Sequence, residues 1–187
     1  MKDYLMLIVF PSKALDKLYG KKPNAITLYL IFTIAALGGT LPKYIAASMN
    51  SPKGLEALTM YLMVLPFLFF PVTYGLGYCY WIVCMGFKGY STRLEMKNLI
   101  VLSLLPSVLQ TVLSIPFVTV GIFRNDSGLI THYNYLANFI LWFFSFRILM
   151  VGIAKYNKFN WTITLIAHLI VTSVLGGLFY LVLQLKR

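Results

Sequence analysis

Charged residues are scarce in this sequence of 187 residues, of which only 11% are Asp, Glu, Lys or Arg and 59% are apolar. Because an ordinary globular domain carries roughly 25% charged residues, this scarcity argues against a water-soluble fold. Crossing ~30 Å of hydrocarbon takes roughly 20 helical residues, and the charges leave five gaps long enough for such a helix. The gaps lie between Lys22 and Lys43, Glu56 and Lys88, Lys97 and Arg124, Asp126 and Arg147, and Lys158 and Lys186.

Acidic residues are fewer still, and known catalytic motifs are missing. The five Asp and Glu residues fall in predicted loops or at span ends, so the paired intramembrane carboxylates of proton-coupled transporters are absent. The patterns H-E-x-x-H, G-x-S-x-G and the P-loop do not occur. His132 and His168 lie in different regions and cannot form a metal site by themselves. The sequence therefore predicts no enzyme, no metal and no cofactor.

Cysteine is limited to Cys79 and Cys84. Five positions apart on a helix, they lie about 140° apart around its axis, so we do not expect a disulfide between them. Both are predicted to pack as small apolar groups.

The predicted fold is all-α, a polytopic membrane bundle of five transmembrane helices preceded by an N-terminal interfacial amphipathic helix. Lipid tolerates only helices or closed barrels, and alternating strands of about ten residues are absent. Pro66 and Pro71 lie inside the second span, which is too long for one upright helix. We expect a kinked or strongly tilted helix there, with a re-entrant break as the alternative. The five-helix domain is residues 24–187, with spans at about 24–48, 57–86, 98–122, 131–153 and 161–185.

Residues 1–23 form a separate N-terminal segment, in which the apolar run Tyr4 to Phe10 is too short to span. Pro11 suits the first turn of a short helix. One face of that helix carries Ala14, Leu15, Leu18 and Tyr19, and the other carries Lys13 and Lys17. This pattern predicts a helix lying on the membrane surface, with both lysines binding lipid headgroups. A cleavable signal peptide does not fit, because the basic cluster follows the apolar run.

The basic residues of the loops predict the orientation. With the N-terminus inside, ten lysines and arginines fall on the cytosolic side and five outside, which favours a cytosolic N-terminus and an external C-terminus. The net charge of +11 then favours binding to anionic lipid, because each basic residue near the membrane surface contributes roughly 1 kcal/mol of attraction. Nucleic-acid binding is not expected, since no soluble basic domain exists. Twelve lysines against four arginines favour a bacterial cytoplasmic membrane.

Arg147 and His168 are the candidate binding residues within the spans. Each lies about seven residues from the predicted cytosolic end of its helix, so both are expected about 10 Å below one surface on neighbouring helices. One interpretation is that Arg147 extends to the headgroups while His168 bonds a backbone carbonyl. The other is a shared polar site for an anionic headgroup or a partner's carboxylate.

Small residues and prolines are predicted to shape the packing. Ala35 with Gly39, and Ser173 with Gly177, form small-xxx-small pairs that let helices approach closely. Packing is the favoured interpretation over a conduction path. In the third span Pro106 and Pro116 are expected to cause kinks, as Pro66 and Pro71 do in the second.

Four segments carry a family resemblance: Phe10 to Leu15 before the spans, Gly86 to Ser91 before the third, Leu104 to Leu109 within it, and Gly152 to Trp161 between the last two. In this order they resemble the Yip family, the Ypt-interacting-protein membrane domain, in its short bacterial form. The resemblance implies five spans and a cytosolic N-terminus. Eukaryotic relatives are linked to Rab GTPases and vesicle traffic, and some bacterial relatives accompany export systems.

The sequence and this resemblance together favour a non-enzymatic adaptor or accessory subunit of a membrane transport or trafficking system. It would bind anionic lipid at the cytosolic face and dock to another membrane protein or to a second copy of itself. The alternative is a small permease or lipid transporter, with the prolines as flexing points and Arg147 near the substrate.

Overall fold

The computed structural model describes residues 2–19 and 23–185, and all their side chains except those of residues 2–5, Tyr19 and Pro52. Four of the basic residues on which the predicted orientation depends lie outside the described residues: Lys21, Lys22, Lys186 and Arg187. The described part forms eight α-helices and no strand. These are α1 (Lys2–Val9), α2 (Pro11–Tyr19), α3 (Ala25–Asn50), α4 (Pro52–Gly86), α5 (Arg93–Ser103), α6 (Leu105–Phe123), α7 (Ser127–Asn157) and α8 (Trp161–Gln184).

Five stretches of the described chain are helical, long and apolar enough to cross a membrane: α3, α4, α5 together with α6, α7, and α8. The prediction of an all-α fold with five spans after a short N-terminal helix is therefore confirmed. On this basis the chain is an integral membrane protein.

The second span is one continuous helix. α4 runs for 35 residues through both Pro66 and Pro71, so the re-entrant alternative is wrong. At 1.5 Å per residue the helix is about 52 Å long, and a span longer than the hydrocarbon thickness is accommodated by tilt. It begins five residues before the predicted start, because Ser51 caps it and Pro52 occupies its first turn.

The third span is interrupted at Leu104, about a third of the way along it. α5 ends at Ser103 and α6 begins at Leu105, with Pro106 in the first turn of α6. Since proline has no backbone N–H, it cannot continue the hydrogen-bond ladder of α5. The span also starts earlier than predicted, at Arg93, because Thr92 and Glu95 form a capping box.

The N-terminal helices α1 and α2 pack onto the bundle, where α1 contacts α6 and α7 and α2 contacts α7. Ala14, Leu15 and Leu18 are buried. The predicted helix is present, and its apolar face is covered by protein. Its position at the membrane surface stays a prediction. Lys155 on α7 donates a hydrogen bond of 2.7 Å to the carbonyl oxygen of Ser12 and forms an ion pair with Asp16. We call this end of the bundle the α2 end.

α3 is the central helix, with α4, α5, α6 and α7 packed around it, whereas α8 lies at the periphery against α4 and α7. α3 approaches α6 closely at Gly38. A Cβ atom on this residue would lie 2.6 Å from the carbonyl oxygen of Ser107 and 2.8 Å from the backbone nitrogen of Thr111. Only glycine fits at such a distance. Thr111 completes the contact by donating a hydrogen bond of 2.8 Å to the carbonyl oxygen of Ile34.

Candidate functional site

His168 and Arg147 do not contact each other through a hydrogen bond in the described structure, so the shared polar site, one of the two interpretations of the sequence, is not formed by these side chains. Nδ1 of His168 lies 2.7 Å from the hydroxyl of Tyr80, and the histidine ring meets Phe146 edge-on at 5.1 Å. Arg147 is exposed, and the described part of the chain has no hydrogen bond or ion pair between it and His168. The partner of His168 is thus the hydroxyl of a tyrosine on α4 and not the backbone carbonyl that one interpretation expected. Lipid binding by Arg147 stays a prediction.

The two small-residue pairs have different surroundings. Ala35 is buried, and a Cβ on Gly39 would be 3.7 Å from Oδ1 of Asn138, an ordinary contact. Ser173 and Gly177 are exposed on α8, and no atom lies within 4 Å of a Cβ built on Gly177. The second pair therefore makes no close helix contact within the described part of the chain, because α8 turns that face away from α4 and α7.

The remaining predicted residues are spread over the molecule. Lys13 and Lys17 are exposed on α2. Pro66 and Pro71 face outward from α4, and Pro116 is exposed within α6. Pro106 is buried at the interruption of the third span.

The structure instead forms a pocket of about 600 Å³ between α4 and α5. Ligand pockets in proteins typically measure ~300–1,000 Å³. Two basic residues one helical turn apart, Arg93 and Lys97, share one face of α5 because residues four apart lie above one another. The pocket is lined by Tyr74, Gly75, Tyr78, Arg93, Leu94 and Lys97.

Arg93 is held by aromatic rings. The centre of its guanidinium lies 4.3 Å from the ring centroid of Trp81 and 5.3 Å from that of Tyr78. Such cation–π contacts attract the cation without neutralising it. The planar guanidinium therefore keeps its full charge and can still bind a phosphate or carboxylate through two parallel N–H donors.

Lys97 is only 8% exposed. Its Nζ donates a hydrogen bond of 3.1 Å to the hydroxyl of Tyr74 and lies 4.3 Å from the centroid of that ring. The position follows from close helix packing, because a Cβ on Gly77 would lie 2.8 Å from Cα of Lys97. Glycine at this point lets α4 and α5 touch, which places the lysine side chain against α4.

No carboxylate neutralises these two cations among the side chains that the structure describes. Glu95 is the nearest in sequence, but its Oε2 accepts hydrogen bonds of 2.7 Å and 2.9 Å from the backbone nitrogen and hydroxyl of Thr92. Asp16 is paired with Lys155, and Asp126 caps α7 through the backbone nitrogen of Leu129. The pocket is consequently a site of positive potential bounded by aromatic walls.

Arg93 and Lys97 are two of the ten basic residues predicted on the cytosolic side, but the sequence did not predict that they form one site. A signal was present, because Tyr74, Tyr78 and Trp81 recur at helical spacing and so share one face of α4. The sequence did not indicate that this face of α4 packs against the first turns of α5. The described residues contain no group of three or more His, Cys, Asp or Glu side chains that could hold a metal ion.

Comparison with known proteins adds no relative, since no family model, curated protein or solved structure matches this chain. The similarity to the Yip family stays a prediction from the sequence.

Proposed function

We propose that this protein is a non-enzymatic adaptor or accessory subunit of a membrane system, and that it binds anionic lipid through Arg93 and Lys97. The observation that carries the proposal is a buried lysine and an arginine facing one pocket without a carboxylate partner in the described structure. A buried charge is costly unless it is paired. A phosphate group entering the pocket would supply the missing negative charge.

The placement of the pocket supports a lipid ligand. Arg93 begins α5 at the α2 end of the bundle, near the loop that follows α4. That loop is held to α7 by a hydrogen bond of 3.1 Å from the backbone nitrogen of Ser91 to Oδ1 of Asn157. Trp81 and Tyr78 are residue types enriched at membrane interfaces, where headgroups lie. We place this end on the cytosolic side of a bacterial cytoplasmic membrane, where the loop charges favour it.

The adaptor part of the proposal rests on surfaces that the chain leaves uncovered. The outer face of α8, including Ser173 and Gly177, is exposed, and little of the span is buried inside the bundle. Small residues on such a face allow another helix to approach closely. A partner membrane protein or a second copy would cover it.

Native mass spectrometry of protein purified in mild detergent tests both parts. Titrated phosphatidylglycerol should bind in preference to phosphatidylcholine, and Arg93→Gln and Lys97→Met should each weaken this binding about fivefold, the value expected for one basic residue. Arg124→Gln, at the opposite end of the third span, is the matched control. Equal binding by all four proteins would refute the lipid site, and purification from native membranes without any stoichiometric partner or second copy would refute the adaptor role.

A transporter is the second candidate, because the interruption of the third span opens a cavity. It measures about 370 Å³, lies between α6 and α7, and is lined in part by Ser107, Asn138 and Ser145. The buried hydroxyl of Ser145 has no hydrogen-bond partner in the described structure. Interrupted helices with polar groups at mid-span are typical of transporter binding sites.

Lipid flux separates the two candidates. In proteoliposomes that contain fluorescently labelled phosphatidylglycerol, a reductant added outside destroys the fluorescence of labelled lipid in the outer leaflet. Lipid that moves from the inner to the outer leaflet then appears as a further loss of fluorescence. An adaptor alone leaves the inner-leaflet signal protected. Protein-dependent loss that Asn138→Leu abolishes, while an exposed control such as Leu169→Ala retains it, would favour transport.

A further inference from the structure

The cationic pocket does not end at Lys97. A second depression of about 280 Å³ lies between the start of α3 and the middle of α4. Tyr74 and Lys97 line it as well as the pocket, so the two depressions adjoin at these residues. We call this second depression the chain groove. Its other lining residues are Ala25, Ile26, Tyr29, Phe69 and Phe70.

The walls of the chain groove are apolar and held by ring contacts. Tyr29 meets Phe69 edge-on at 5.3 Å, and Phe69 meets Phe70 edge-on at the same separation. Phe70 stacks on Tyr74 at 6.1 Å, which connects the groove wall to the residue that bonds Lys97. Aromatic rings packed in this way are rigid, so the groove presents a lasting surface for a hydrocarbon chain.

The lining of the site therefore changes from cationic to apolar at Tyr74 and Lys97. The pocket offers the two cations Arg93 and Lys97, and beyond Lys97 and Tyr74 the remaining lining residues of the groove are aromatic or aliphatic. We propose that pocket and groove form one site for a single anionic membrane phospholipid, with its phosphate between Arg93 and Lys97 and one acyl chain in the groove between α3 and α4. The inference rests on the proposed function, because it specifies the ligand of the same pocket.

Two features favour a lipid over a free anion. The site is open on the outer surface of the span helices, as the exposure of Ile26 and Phe70 shows, so a bilayer lipid can enter sideways. The charge lies at one end of the site only, which matches the separation of head and chain in an amphiphile. Inorganic phosphate would leave the groove unfilled.

A tryptophan reporter in the chain groove tests the inference. Phe70→Trp is introduced after Trp81, Trp142 and Trp161 have been changed to Phe, and the protein is reconstituted in phosphatidylcholine nanodiscs. Phosphatidylglycerol with brominated acyl chains should quench this reporter at about one-thirtieth of the mole fraction that brominated phosphatidylcholine needs, the advantage expected for two nearby basic residues. Lys97→Met should reduce this advantage about fivefold, because Arg93 remains. Leu169→Trp, exposed on α8, is the control position and should show no such preference.

The outcomes separate this inference from the proposed function. If native mass spectrometry shows lipid binding that depends on Arg93 but the reporter is quenched equally by both brominated lipids, the headgroup site stands and the chain groove is refuted. If an excess of inorganic phosphate restores the reporter fluorescence completely, the site takes a free anion and the inference fails. If neither method shows selectivity, both proposals fail. Because Trp81 contacts Arg93, retained phosphatidylglycerol binding by the tryptophan-substituted protein must be established first.

Discussion

The hydroxyl of Tyr80 lies 2.7 Å from Nδ1 of His168, and the two rings stack with their centroids 6.0 Å apart. This contact joins α4 to the peripheral helix α8. His168, a predicted ligand-binding residue, is thus hydrogen-bonded within the protein. The residue of α7 that contacts its ring is Phe146 and not Arg147. This half-buried tyrosine–histidine hydrogen bond thus connects two spans.

We expect Tyr80→Phe to loosen the attachment of α8. Hydrogen bonds between membrane helices contribute about 0.5–1.5 kcal/mol, and the substitution keeps the ring packing while removing the bond. The free energy of unfolding in mixed micelles, measured by titration with SDS, should fall by that amount. Tyr135→Phe, on an exposed position of α7, should leave it unchanged. An equal effect of both substitutions would contradict the role assigned to the contact.

Neighbouring glycines on α3 should respond very differently to the same change. Gly38→Ala places a Cβ against the backbone of α6, whereas Gly39→Ala meets only Asn138 at an ordinary distance. Overpacking of this kind costs roughly 1–3 kcal/mol. We predict a loss in that range for Gly38→Ala and none for Gly39→Ala, read from thermal unfolding in detergent. A loss of similar size at Gly39 would show that the α3–α6 contact is not the limiting one.

The buried amide pair between α6 and α7 allows a test by double mutation. Nε2 of Gln110 donates a hydrogen bond of 3.0 Å to Oδ1 of Asn134, and Oε1 of Gln110 has no partner in the described structure. Gln110→Leu should destabilise by about 1–3 kcal/mol, because it leaves the asparagine unsatisfied. Adding Asn134→Leu should recover much of that loss. Additive losses, measured by the same SDS titration, would mean that the two side chains are not coupled.

The termini of the spans show why sequence patterns locate helices better than their ends. Gaps without charge identify the stretches that lipid can contain, yet α4 begins at Pro52 and α5 at Arg93, each five residues before the predicted start. In both cases a capping residue, Ser51 or Thr92, satisfies the free N–H groups and lets the helix extend beyond the hydrocarbon. The Thr92–Glu95 spacing was visible as a capping box. A prediction from charge alone starts the span after Lys97 and therefore places the start of the helix too late.

The small-residue pairs show the limit of a pattern that repeats on several helices. Ala35 and Ser173 each begin a small-xxx-small pair, but only the first lies on a helix that is surrounded by others. Burial of a helix face depends on which neighbours the bundle provides, and periodicity within one helix carries no information about that. The close contact falls on Gly38, one position from the predicted Gly39.

By itself the sequence determined the number of spans, the all-α class and the short N-terminal helix, because a backbone in hydrocarbon must satisfy its own hydrogen bonds and uncharged stretches of the required length can do so only as helices. The tertiary structure alone decided where the charges act. Arg93 and Lys97 form one site only because Gly77 allows α4 to pack closely against α5. The apolar face of α2 is buried because α2 packs on α7, where Lys155 bonds it. Both depend on contacts between residues far apart in the chain, which local spacing does not encode.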